Sequence, residues 1–160
     1  MSGTAGTRIH LAIIVVLLLV IAAMLYKFIV AGSTEKAADG RVAIIMEPGE
    51  RAFMLREMRG FLSGLQRITD ALAREDMQGV AKASRALGAA RESAVPAEMM
   101  GKLPLEFKTL ALSVHGDFDT IAMDAEWTVL PKRTLGQISE VLQKCTACHD
   151  SYRVTTPILK

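Results

Sequence analysis

Both cysteines of the 160-residue chain stand in one short stretch, "KCTACHDSY" (144–152), with a histidine directly behind the second. On a helix, Cys145, Cys148 and His149 obey i, i+3, i+4 spacing and project from the same side. Cys-x-x-Cys-His is the attachment signature of c-type haem. Thiols three residues apart can reach the two vinyl-derived carbons on one edge of a porphyrin and form thioethers. The adjacent imidazole is then carried under the ring, where its nitrogen can bind iron.

Three other readings compete for the same residues. A thioredoxin-type disulfide belongs at the start of a helix beside a βαβ pattern, and the sequence has no such pattern. Zinc would find only three adjacent ligands and no second Cys/His pair. The third is chance occurrence of the pentapeptide. An export segment and a helical body accompany the motif here, and both favour haem attachment.

The export segment is the apolar run that begins at Leu11, is uncharged to Tyr26, and continues past Lys27 to Ala31. At ~1.5 Å per residue, about 20 such residues cross the ~30 Å hydrocarbon layer. His10, Tyr26 and Lys27 suit its boundaries. A cleaved signal peptide is the rival, but its apolar core is ordinarily about 7–15 residues, no clean small-x-small site follows promptly, and a possible one in "KAADG" (36–40) is late and weak. The reading is therefore a single-pass anchor over 9–31, with residues 1–8 in the cytoplasm.

Only Arg8 and Lys27 of the 19 basic residues fall in the first 32 positions, so 17 remain against 17 acidic ones. A neutral domain without a basic stripe, and with few aromatic residues, is a poor nucleic-acid binder. Residues 32–48 read as a linker: a small, polar tether through Gly40, then an apolar patch closed by Pro48-Gly49. No alternating strand pattern of useful length follows it.

The remainder reads as four helices. The first, about 50–74, carries Phe53, Met54, Met58, Phe61, Leu65, Ile68 and Leu72 at three- and four-residue intervals. The second, about 76–93, has Asp76 as N-cap, with Val80, Ala83 and Leu87 on one side. Residues 94–104 hold two prolines and a glycine and read as a loop. A third helix would start at Pro104 and run to about 125. Pro131 breaks the pattern, and a fourth starts at Thr134 with Gln137 as capping-box partner. Its buried stripe is expected to be Leu135, Ile138, Leu142 and Cys145, while Trp127 closes the loop side. The fold class is thus all-α: an antiparallel four-helix bundle over 49–155 behind one transmembrane helix, with a tail at 156–160.

"LQKCTACHDSYR" (142–153) resembles the C-terminal signature of the cytochrome c-prime family, the class II c-type cytochromes. There Cys-x-x-Cys-His lies on the last helix of a four-helix bundle, with an aromatic and a basic residue three and four positions after the histidine. Tyr152 and Arg153 fill those places. The resemblance covers about residues 45–155, and the membrane segment departs from the usual soluble form. It implies one covalent haem c with His149 as proximal iron ligand and a distal position supplied by the first helix.

"MRGFLSGLQRI" (58–68) is similar to the stretch around the axial methionine of the soluble b-type four-helix cytochrome. Met58 is therefore the favoured distal ligand and Met54, one turn earlier, the runner-up. Arg51, or alternatively Arg59, is the propionate partner. His115 is a weaker candidate ligand.

Taken together, the expected protein is a membrane-anchored monohaem cytochrome transferring electrons at the periplasmic face of a bacterial inner membrane. Redox proteins at the membrane are its partners, and a homodimer through the first two helices of the bundle is compatible. No constellation of catalytic acid, base or nucleophile suggests an enzyme. Two alternatives stay open: an NO- or CO-binding five-coordinate haem protein, and a haem subunit of a larger respiratory or photosynthetic complex.

Overall fold

The structure is a computed structural model. It describes residues 3–90, 95–128 and 130–157, with side chains from Arg8 onward. It is mostly helical. Among the described residues six α-helices and three short strands follow one another: α1 (Gly3–Leu25), β1 (Thr34–Lys36), β2 (Val42–Ile45), α2 (Pro48–Ala73), α3 (Met77–Arg85), α4 (Ala97–Met100), α5 (Leu105–Trp127), α6 (Pro131–Ser151) and β3 (Tyr152–Thr155).

The N-terminal helix stands clear of the rest. α1 widens into a π-helical segment, Tyr26–Ala31, before Gly32 ends it. Arg8–Ala31 is long and apolar enough to cross a membrane, and none of its most apolar window is buried. An apolar helix left bare by its own protein is what a hydrocarbon environment would cover.

Four helices share one core. Ile68 and Ala71 from α2, Met77, Val80, Ala81 and Ala83 from α3, Phe118, Ile121 and Ala125 from α5, and Ile138 and Val141 from α6 pack together, with Leu87 from the turn after α3. The α2 start is set by Pro48, whose missing N–H is no loss in the first turn, and by Glu50, whose carboxylate accepts from the Glu47 N–H at 2.8 Å. Asp76 caps α3 by accepting from the Gly79 N–H at 2.8 Å. Gly64 lets α2 and the turn after α3 close up, since a Cβ there would collide with the Leu87 side chain.

Several boundaries differ from the sequence reading. α3 ends at Arg85, well before 93, and of the expected continuation residues 91–93 lie outside the described residues. The 94–104 loop contains the one-turn helix α4, which buries Met99. Pro104 is the N-cap of α5, and α5 runs two residues past 125 to Trp127. α6 begins at Pro131, three residues before Thr134, because proline is well suited to the first helical position. Gln137 accordingly makes no capping box; its side-chain amide donates to the Asp124 carboxylate at 2.7 Å. Trp127 closes nothing: it is 83 % exposed at the end of α5.

The linker is the largest correction. Residues expected to form a tether make a three-stranded sheet in the order β1-β2-β3. β2 pairs antiparallel with β1 (Thr34 opposite Ile44) and parallel with β3 (Val42 opposite Tyr152, Ile45 opposite Thr155). Ile44 and Met46 are wholly buried, joining Met54, Met99, Leu103 and Phe107 in a second core. The driving force is burial of an apolar patch that a free linker would leave in water. The helical domain therefore also uses residues before 49, and β3 replaces what read as its trailing end.

Candidate functional site at the C-terminal helix

α6 carries Cys145, Cys148 and His149 within its last two turns. The cysteines are free, half-buried thiols. Cys145 packs on the four-helix core and Cys148 on the second core, so the pair bridges the two. Burial raises both thiols above the ordinary cysteine range, and for Cys148 the neighbouring Cys145 adds to the rise. His149 is exposed, and its ring has no partner among the described residues.

The face that α6 buries differs from the expected one. Thr134, Ile138 and Val141 are buried, while Leu135 is 57 % and Leu142 44 % exposed. At about 100° per residue, Leu135, Leu142 and His149 lie about 20–60° to one side of Ile138, and Gln137 and Lys144 about 100–120° to the other. The second flank is fastened to α5: Lys144 pairs with Asp117 at 2.6 Å, and Arg133 and Gln137 both reach Asp124. The first flank, with His149 on it, is left bare.

α2 shows the matching feature. Its Gly64 and Ala71 side meets Leu87 and the Gly79 region of α3. Met58, Leu62 and Leu65 lie on the other side, and Leu62 is 70 % exposed. Between α2 and α6 contact is slight, far less than between α2 and α3, α3 and α5, or α5 and α6. Two apolar flanks thus border one loosely closed seam, with His149 on one side and Met58 on the other.

Met54 and Met58 both belong to the core that Cys148 joins; Met54 is buried and Met58 half-buried. Arg51 is exposed on the Met58 side of α2, about two turns earlier, with no carboxylate partner among the described residues. Arg59 is exposed as well. His115 is occupied elsewhere: its Nδ1 lies 2.7 Å from the Leu87 carbonyl oxygen and its ring 5.2 Å from Phe61. It is half-buried, on the stretch of α5 whose Asp117 pairs with Lys144 beside Cys145.

The sequence reading missed the frame that holds this end of α6. Tyr152 leaves the helix to begin β3, its ring set edge-on to Phe107 at 5.3 Å. Arg41 donates from its Nη1 to the His149 carbonyl oxygen at 3.2 Å. Asp39 binds Arg41 through two side-chain bonds, at 2.7 and 3.0 Å, and Arg153 at 3.1 Å. The side-chain bond from Arg41 holds the Asp39 carboxyl down at about 2, well below its ordinary 3.8. Only the aromatic Tyr152 and the basic Arg153 were legible beforehand, not the contacts they make.

Comparison of the chain with protein-family models, with curated proteins and with solved structures gave no match. The site must be judged on its own chemistry.

Proposed function

We propose that the chain is a membrane-anchored c-type cytochrome, its helices forming an antiparallel four-helix bundle that holds one covalent haem in the seam between α2 and α6. The observation that carries this reading is the placement of Cys145, Cys148 and His149. Two free thiols and an imidazole without a partner among the described residues project from consecutive turns of α6, beside an apolar flank that the described residues leave exposed.

The residues present fit such a group. Addition of each S–H across a vinyl double bond gives a thioether with no atom or electron left over, and the raised thiols are in the S–H form at neutral pH. Leu62, Leu65, Leu135 and Leu142 offer apolar surface on either side of the seam. His149 would be the proximal ligand and Met58 the distal one, a neutral imidazole and a soft thioether that together favour the reduced metal. Arg51, a guanidinium without a carboxylate partner among the described residues, would meet a propionate. Bound there, the group supplies one-electron exchange at iron; the protein's part is to orient it and to keep water from it.

Export follows from the same chemistry and from the apolar span. The haem domain is assigned to the periplasmic side of a bacterial inner membrane, where the anchor keeps it among membrane redox proteins at high local concentration. The test is direct. Chain matured with a c-type haem attachment system is expected to weigh one haem more than its amino acids and to show a Soret band that survives denaturation. Cys145→Ala with Cys148→Ala should lose the covalent mass. Mature chain without that mass would overturn the assignment.

A further inference from the structure

We infer that Gly32 and the turn at residues 101–104 form a rigid strut that sets the Cys148 end of the domain down on the lipid headgroup surface. The strut stands on its own geometry; only its consequence for haem rests on the function proposed above.

The exit from the membrane span is not a free tether. Gly32 donates its N–H to the Lys27 carbonyl at 3.0 Å, and the Lys27 ammonium returns to the Gly32 carbonyl at 2.6 Å. The next residue, Ser33, uses both backbone groups: its N–H donates to Lys102 O at 2.8 Å, and its carbonyl accepts from Ile45 N–H at 2.8 Å. Thr34 already lies in β1. Lys102 is itself fixed to Glu50 of α2 at 2.6 Å. From the last turn of the span to the domain there is no residue of slack.

Gly32 is required for this closeness. Its φ is +65°, and a Cβ would stand 2.5 Å from Lys102 O and 2.7 Å from Pro104 N, both backbone atoms that cannot swing aside. Gly101 makes the reciprocal accommodation, with the Phe28 ring 3.1 Å from where its Cβ would be.

The strut determines which end of the domain faces the bilayer. Leu103, in backbone contact with Gly32, belongs to the same core as Met46, Met54, Met99, Phe107 and Cys148. One packed layer therefore separates the anchor's exit from Cys148. α5 starts at this level and runs 23 residues, ~34 Å, to Trp127 at the opposite end. Two ammonium groups lie at the exit, Lys27 and Lys108, and among the described residues both are bonded only to backbone carbonyls, at Gly32 and Phe28. Headgroup phosphates are the anions that would neutralise them. The redox end would then address partners embedded in the membrane, with the apolar tip around Trp127 turned to the bulk.

The nine methionines provide the probe. Full-length protein labelled at methionine methyls, in bilayer discs with and without nitroxide-headgroup lipid, is compared by NMR. Met46, Met54 and Met99 should lose at least half their intensity to the nitroxide, while Met77 and Met123 keep theirs. A ten-residue Gly-Ser insertion after Gly32 should erase the contrast. Uniform losses, or greater loss at Met123, would overturn the inference. Hydrogen exchange supplies a second reading on the unaltered chain: the Ser33 amide should be strongly protected, and an unprotected Ser33 would refute the strut. Neither measurement needs haem, so absence of a Soret band would count against the function alone.

Discussion

The guanidinium of Arg41 donates to the carbonyl oxygen of His149 across 108 positions of sequence, at 3.2 Å. His149 lies in the last turn of α6, where carbonyls have no intrahelical partner. A hairpin that follows the membrane span thus caps the helix end that bears the proposed iron ligand. Asp39 secures it by holding Arg41 and Arg153 together.

Removing that cap should be felt at His149 more than in global stability. Arg41→Ala is expected to leave the thermal unfolding midpoint nearly unchanged, since exposed ion pairs contribute little. It should shift the reduction potential and broaden the ligand signature of the proposed haem, with Arg41→Lys restoring part of the change. Potentiometric titration of the three proteins checks this, and an unchanged potential in Arg41→Ala would remove the positioning role.

Acid should release the hairpin through Asp39. Its carboxyl is depressed in the fold to about 2 from 3.8. A depressed acid contributes fully above its unfolded value and loses that contribution as pH falls through the folded one. The contacts of Asp39 with Arg41 and Arg153 should therefore persist above about pH 4 and open between there and pH 2. Amide exchange of residues 152–155 followed over that range should show the loss, and Asp39→Asn should show fast exchange already at neutral pH.

The two methionines should separate by phenotype. Met58→Ala is expected to convert a low-spin, carbon monoxide-insensitive ferrous spectrum into a high-spin one that shifts with the gas. Met54→Ala should keep the low-spin spectrum but destabilise the fold by about 2–5 kcal/mol, the range for emptying a buried site. Visible spectra with and without carbon monoxide, together with urea unfolding, decide the assignment. The reverse pattern would make Met54 the ligand.

Aromatic residues at the two extremes of burial provide a test of the core. Phe118 is wholly buried and stacks on Phe61 at 5.9 Å, so Phe118→Ala should cost about 3–5 kcal/mol. Trp127→Ala should stay within about 0.5 kcal/mol, as exposed substitutions do. Denaturant midpoints measure both; a large loss at Trp127 would mean that a partner covers the far tip.

Where a signal is local, it could be read directly from the chain. The Cys145, Cys148 and His149 arrangement needs nothing but helical spacing, and Asp76 needs only its own next three residues to cap α3. The apolar span is a property of composition over one segment. The positions of α2 and α5 followed from periodicity to within about two residues.

What escaped was set by partners distant in sequence. "VAII" (42–45) is too short to declare itself a strand, and it becomes one because Tyr152–Thr155 arrives beside it from the other end of the chain. On α6 two stripes were available, and they share Ile138 and Cys145: one adds Leu135 and Leu142, the other Thr134 and Val141. Hydrophobicity alone selects the leucines. The tertiary structure buries the other stripe, because Asp117 and Asp124 of α5 hold the helix by Lys144, Arg133 and Gln137 and so fix its rotation. The sequence by itself determined which residues share a helix face; only packing against α5 decided which face looks outward, and it left His149 there beside the exposed leucines.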